Sequence, residues 1–168
     1  MAKNLKILIF PDPRLRKVAE KVIKFDKSLE NLANSMLKTM YDANGIGLAA
    51  TQIDQHIRLI VMDLSEERNE PRIFINPTYK VLEGHSLYEF EEGCLSIPGF
   101  NEVIARPDKI ELRWQDLEGN EHIERPEGLL TVCIQHEIDH LDGKLMVDYV
   151  SALKRDRVRS RLLKEYKR

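Results

Sequence analysis

The segment His136-Glu137-Ile138-Asp139-His140 constrains this chain more than any other. On an α-helix, residues i and i+4 lie one above the other on the same face, so His136 and His140 can present imidazole nitrogens to one ion. Glu137 is rotated from His136 by only about 100°, at roughly 3.6 residues per turn, and flanks the same point. In that layout two histidines bind a metal while a glutamate handles the proton of a bound water. The competing explanation is a solvated helix face that happens to carry two histidines. A second segment has to decide between them.

An open catalytic metal site keeps three protein ligands and a water, so this helix is one ligand short. A third histidine further along it is absent, because the chain continues Leu141-Asp142-Gly143-Lys144-Leu145-Met146. A glutamate from the following helix would have to be Glu165, which sits in a basic tail and is a poor candidate. The remaining soft donor is Cys94, in Glu91-Glu92-Gly93-Cys94-Leu95-Ser96-Ile97-Pro98-Gly99. Gly93 permits close backbone approach, and Pro98 ends the segment as strand or loop rather than helix. Taken alone, such a cysteine is more often a small buried hydrophobe.

At 168 residues the chain suits one domain, 1–168, around a single core. Its 42% hydrophobic and 32% charged residues, with a net charge of −2, are ordinary for a globular protein. No apolar run approaches a membrane span, and the start lacks the apolar region and cleavage site of a signal peptide. Two cysteines, Cys94 and Cys133, make no disulfide framework, which points to the cytoplasm. The charge is uneven. Residues 152–168 carry eight Lys or Arg against Asp156 and Glu165, a net of +6 that leaves −8 for the rest. A basic tail on an acidic body suits a polyanionic partner, although a solvated terminal helix is the plainer explanation.

Periodicity gives an α+β order: short, mostly antiparallel strands packed around a central helix carrying H-E-x-x-H, then a C-terminal helix. Asp12-Pro13-Arg14-Leu15-Arg16 opens a short helix. Residues 28–43 keep a helical apolar spacing that Asn44-Gly45 ends. Ile57–Asp63, Arg72–Ile75, Thr78–Leu82 and Ser86–Phe90 read as strands, with breaks at Pro77 and Gly84. Lys109–Trp114 alternates, and a turn at Leu117–Asn120 leads into Glu121–Glu124. Pro126 precedes a helix to about Leu141, with Gly143 placed to stop it. The last helix has Leu153, Val158, Leu162 and Tyr166 on its apolar side.

Three segments taken together resemble the motifs of the peptide deformylase family. Gly45-Ile46-Gly47-Leu48-Ala49-Ala50-Thr51-Gln52 matches G-x-G-x-x-A-x-Q, Glu92-Gly93-Cys94-Leu95-Ser96 matches E-G-C-L-S, and Gln135-His136-Glu137-Ile138-Asp139-His140 matches Q-H-E-x-D-H. Their order and spacing agree as well, and the resemblance runs from Asp12-Pro13-Arg14-Leu15 to the terminal helix. Gly99-Phe100-Asn101 falls where the family varies, so contacts there do not carry over.

The resemblance implies that Cys94, His136 and His140 hold one divalent metal ion. It implies Fe²⁺ as the native ion, with Zn²⁺, Ni²⁺ or Co²⁺ able to substitute, whereas ligand softness alone suggests zinc. The reaction it implies removes the formyl group from N-formylmethionine at the start of new polypeptides. Metal-bound water attacks the formyl carbon, with Glu137 as general base and then acid. The Gln52 side-chain amide and the Leu95 backbone N–H supply the oxyanion donors. Gly45 and Gly47 let the backbone approach substrate without a Cβ in the way.

By position in the family, Ile46, Phe90, Leu129, Val132 and Cys133 form the methionine pocket. Glu92 and Gly93 lie beside it, and Glu92 and Arg106 pair near it. Cys133 and His140 are roughly 10 Å apart along the helix axis, too far to share one ion easily. The expected partners are N-formylmethionyl nascent peptides and, through the basic terminal helix, the ribosome near its exit tunnel. Neither a membrane nor DNA is expected. A metallopeptidase would share the H-E-x-x-H helix without needing Cys94. A binding module that has lost activity would not need Gln52, Cys94, His136, Glu137 and His140 all intact.

Overall fold

A computed structural model describes residues 2–166. The first helix, α1 (Lys27–Asp42), buries Leu29, Ala33, Met36 and Met40, the three- and four-residue spacing of a single apolar face. Asp26 caps it, its side chain accepting the Leu29 N–H at 3.0 Å. Beyond its end, Asn44 takes a left-handed φ of 58° and Gly45 returns its N–H to the Met40 carbonyl.

A five-stranded antiparallel sheet runs in the order β1-β2-β3-β6-β7. Its strands are β1 (Gly47–Ala49), β2 (Leu59–Met62), β3 (Arg72–Val81), β6 (Ile110–Gln115) and β7 (Glu121–Glu124). β4 (Leu87–Gly93) and β5 (Asn101–Pro107) form a separate antiparallel pair. All four residues of β2 are buried because both of its faces are covered. Leu59 and Val61 join the α1 side chains in one core cluster. Ile60 and Met62 point the other way, onto Ile134, Ile138 and Leu141 of α2 (Leu129–Leu141). Helix α2 is buried continuously from Ile134 to Leu141, so it runs through the protein as a central element. This is the expected α+β arrangement of antiparallel strands about the H-E-x-x-H helix.

The structure corrects several boundaries. Pro77 does not break the chain into two strands. β3 runs through it and absorbs the extra residue as a register shift between Ile75 and Thr78. Asn76 sits at the shift with φ 51°, and its side chain bonds both the N–H and the carbonyl of Val22. Helix α2 starts at Leu129 and not directly after Pro126, because Gly128, at φ 60°, is the residue that enters the helix. At the other end Gly143 takes φ 75°, and a Cβ there would collide with the Arg16 carbonyl. Strands β1 and β5 were not expected.

The apolar stripe of α3 (Ala152–Glu165) is narrower than its sequence suggests. Val158 and Leu162 pack with Phe10, Ile97 and Met146, while Leu153 and Tyr166 are exposed. Lys167 and Arg168, part of the basic tail, lie outside the described residues.

Candidate active site

The i, i+4 spacing on α2 places the imidazoles of His136 and His140 edge to face, with their Nε2 atoms 3.3 Å apart. Cys94 arrives from the loop after β4, its Sγ 3.3 Å from His140 Nε2. Among the described residues these three side chains form a group whose ligand atoms all lie within 4.8 Å of one another. Donors held tetrahedrally at about 2.0–2.3 Å from one ion stand roughly 3.3–3.7 Å from each other. One thiolate and two imidazoles at this spacing therefore fit a divalent metal, with an open side toward a cavity of about 410 Å³ that Cys94 and His136 line.

The orientation of His136 is fixed from behind. Its Nδ1 is 2.8 Å from Glu92 Oε1, and the same carboxylate takes two hydrogen bonds from Arg106, at 2.6 and 3.0 Å. Glu92 has no proton to give in that pairing, so His136 Nδ1–H donates and Nε2 is the nitrogen turned to the cluster. Arg106 Nη1 also donates to Asp139 Oδ2 at 2.9 Å, and the Tyr149 hydroxyl donates to the same oxygen at 2.7 Å. Burial opposes charge on Glu92, Arg106 and His136. Hydrogen bonds from His136 and Arg106 nevertheless hold Glu92 below the usual carboxylate range. His136 is pushed well up against its own burial by Cys94 and Glu92, while burial and the neighbouring His136 push His140 well down.

Glu137 points into the same cavity with its Oε2 buried and without a hydrogen-bond partner among the described residues. Burial pushes its carboxyl up to about 7. A divalent cation beside it would pull it back down. A Cβ on Gly47 would come within 2.8 Å of Glu137 Oε1, and one on Gly45 within 2.6 Å of the Leu95 side chain. The two glycines thus make room for Leu95 and Glu137, a reason for G-x-G that the sequence did not reveal. Gly47→Ala should displace the Glu137 carboxylate and lower kcat by about ten- to hundredfold while metal content holds. Steady-state kinetics beside metal analysis checks this, and an unchanged kcat would mean that Glu137 has slack.

Gln52 is held at both ends. Its Oε1 accepts the Ala49 N–H at 2.9 Å, which turns Nε2 toward Ser96 Oγ at 3.0 Å and Cys94 Sγ at 3.7 Å. Leu95 lines the cavity, and its backbone N–H donates to no acceptor among the described residues.

Of the pocket residues expected, Gly45, Ile46, Gly47, Phe90, Gly93, Val132 and Cys133 line the cavity. Leu129 does not, since it occupies the first turn of α2, one turn before Cys133. Glu92 reaches the wall, but both of its oxygens are engaged by His136 and Arg106. In this structure it supports His136 from the wall of the cavity. Cys133 stays a neutral thiol, its pKa pushed up to about 12 by burial. Ser96, Asp139 and Tyr149 were missed. Ser96 and Asp139 lie inside the matched motifs, and only Tyr149 had no signal in the sequence.

A family model described as polypeptide deformylase matches residues 4–156. Peptide deformylases of Saccharophagus degradans and Pseudomonas aeruginosa are each 53% identical over 163 residues, covering 97% of this chain and 94% and 96% of theirs. The chain belongs to the polypeptide deformylase family. The crystal structure of an Ehrlichia chaffeensis deformylase in complex with actinonin superposes with a TM-score of 0.92 at 37% identity, over 100% of both chains. A Legionella pneumophila deformylase gives 0.89 at 46% identity, over 97% of this chain and 95% of that one. As a deformylase this chain is a metal-dependent hydrolase that acts on the formyl group of formylated nascent peptides.

Proposed function

We propose that Cys94, His136 and His140 hold one divalent ion and that Glu137, Gln52 and Leu95 carry out deformylation beside it. The observation that carries this reading is the convergence of one thiol and two imidazoles at a cavity into which the Glu137 carboxylate points, its Oε2 without a hydrogen-bond partner among the described residues. When bound, the ion supplies Lewis acidity, which makes water a nucleophile near neutral pH. Fe²⁺ is the native ion on the family's pattern, and the donors themselves would also suit zinc.

Glu137 takes the proton of the attacking water as oxygen bonds to the formyl carbon. It then delivers that proton to the methionine nitrogen as the C–N bond breaks and formate leaves. Gln52 Nε2–H and the Leu95 N–H donate to the oxyanion that forms in between. Ile46, Phe90, Val132 and Cys133 give the methionine side chain an apolar wall. Formyl-Met-Ala should release formate while acetyl-Met-Ala stays intact. Cleavage of an internal peptide bond instead would favour a peptidase.

Two further assignments support a place in the cytoplasm at the ribosome. Both cysteines are free, and among the described residues no helix is long and apolar enough to cross a membrane. On α3, Arg157, Arg159 and Lys164 are exposed. These basic residues would meet ribosomal RNA near the exit tunnel. Deleting everything after Ser151 would be a poor test, because Val158 and Leu162 belong to the core. Reversing Arg157, Arg159 and Lys164 to Glu should keep activity on a short formyl-peptide and weaken ribosome co-sedimentation. The slope of log affinity against log salt should also become shallower, by about one per lost phosphate contact. Unchanged sedimentation would make α3 a solvated helix with no such partner.

A further inference from the structure

The loop after β4 has two halves with different anchors. Its first half is tied to the body: the Phe10 N–H donates to the Ser96 carbonyl at 2.8 Å, Gln52 to Ser96 Oγ at 3.0 Å, and the Ile97 N–H to the Cys94 carbonyl at 3.0 Å. Ser96 and Ile97 are fully buried. The second half, Ile97–Phe100, is a tight turn closed by the Phe100 N–H on the Ile97 carbonyl at 3.3 Å, with Gly99 at φ 74°. Proline and then glycine in its centre, with a positive φ at the glycine, make it a type II turn. The peptide between the two is the one that flips when such a turn becomes type I. Pro98 and Gly99 both line the active-site cavity.

Arg161 of α3 holds that peptide. Its Nη2 donates to the Pro98 carbonyl at 2.8 Å, and a Cβ on Gly99 would stand 3.4 Å from its Nη1. Glu165 fixes Nη1 at 3.1 Å, and Val158 and Leu162 anchor the helix beside Ile97. We infer that Arg161 is a positioning residue for substrate binding, locking the Pro98–Gly99 peptide in one orientation and so shaping the cavity wall that meets the formylated peptide. The inference rests on the deformylase reading. It predicts an effect on binding rather than on chemistry, since Cys94, Ser96 and Gln52 have anchors of their own.

The test compares Arg161→Ala, Arg161→Lys and Lys164→Ala with the wild type, reading kcat, KM and metal content with formyl-Met-Ala. Arg161→Ala should raise KM about three- to tenfold, in the range of the net value of one hydrogen bond. Its kcat should stay within about twofold. Arg161→Lys, which can still reach the carbonyl, should recover most of the loss, and Lys164→Ala should match the wild type. An unchanged KM in Arg161→Ala, or a fall in kcat that tracks lost metal, overturns the assignment and leaves the deformylase reading standing. No formate from the wild type overturns both.

Discussion

Glu137→Gln should keep its metal and lose turnover by more than the roughly 10²–10⁴-fold typical of a general acid–base group, because one residue serves both proton transfers. The substitution preserves volume and touches no ligand. It should not cost folding, since the carboxyl is buried, its Oε2 has no hydrogen-bond partner among the described residues, and burial already disfavours its charged form. Formate release measured beside metal content and thermal stability checks this. Activity above about a tenth of wild type would move the proton chemistry to another group.

Gln52→Leu should cut kcat by about 10²–10³, the cost of one oxyanion donor, with a smaller change in KM. The structure adds a complication. Leucine also strands the Ala49 N–H, which is bonded to Gln52 Oε1 at 2.9 Å, so about 1–3 kcal/mol of stability should go with it. Gln52→Glu keeps that acceptor while removing the donor toward Cys94, and it should lose kcat without the same loss of melting temperature. A change confined to KM in both variants would make Gln52 a ground-state binding residue.

The parts of the site that could be read in the sequence are those set by local geometry. His136, Glu137 and His140 needed only the helical repeat. Cys94 sits in a loop, and nothing in its own surroundings distinguishes a ligand from a buried thiol. Only the agreement of three separate segments pointed to it. β5 escaped because its inward positions mix Ile104 with Arg106, so a buried guanidinium interrupts the alternation that marks a strand. The same guanidinium supports His136 through Glu92. That support depends on the pairing of β4 with β5 and on Asp139 facing the hairpin from α2, neither of which spacing along the chain encodes. β1 has only three residues and is a strand because β2 lies beside it. The terminal helix shows the opposite error. Its apolar stripe suggested a broad packed face, but only Val158 and Leu162 reach the core.

Deformylation should depend on the ion that Cys94, His136 and His140 hold. Metal analysis of anaerobically purified protein, run beside formate release from formyl-Met-Ala, tests it most directly. One metal ion per chain is expected, iron foremost, with the rate proportional to occupancy through chelation and reloading. Cys94→Ala should lose both metal and rate. Full activity in metal-free protein, or a Cys94→Ala variant that keeps its metal and its rate, would show that the reaction does not run on an ion held by these three residues.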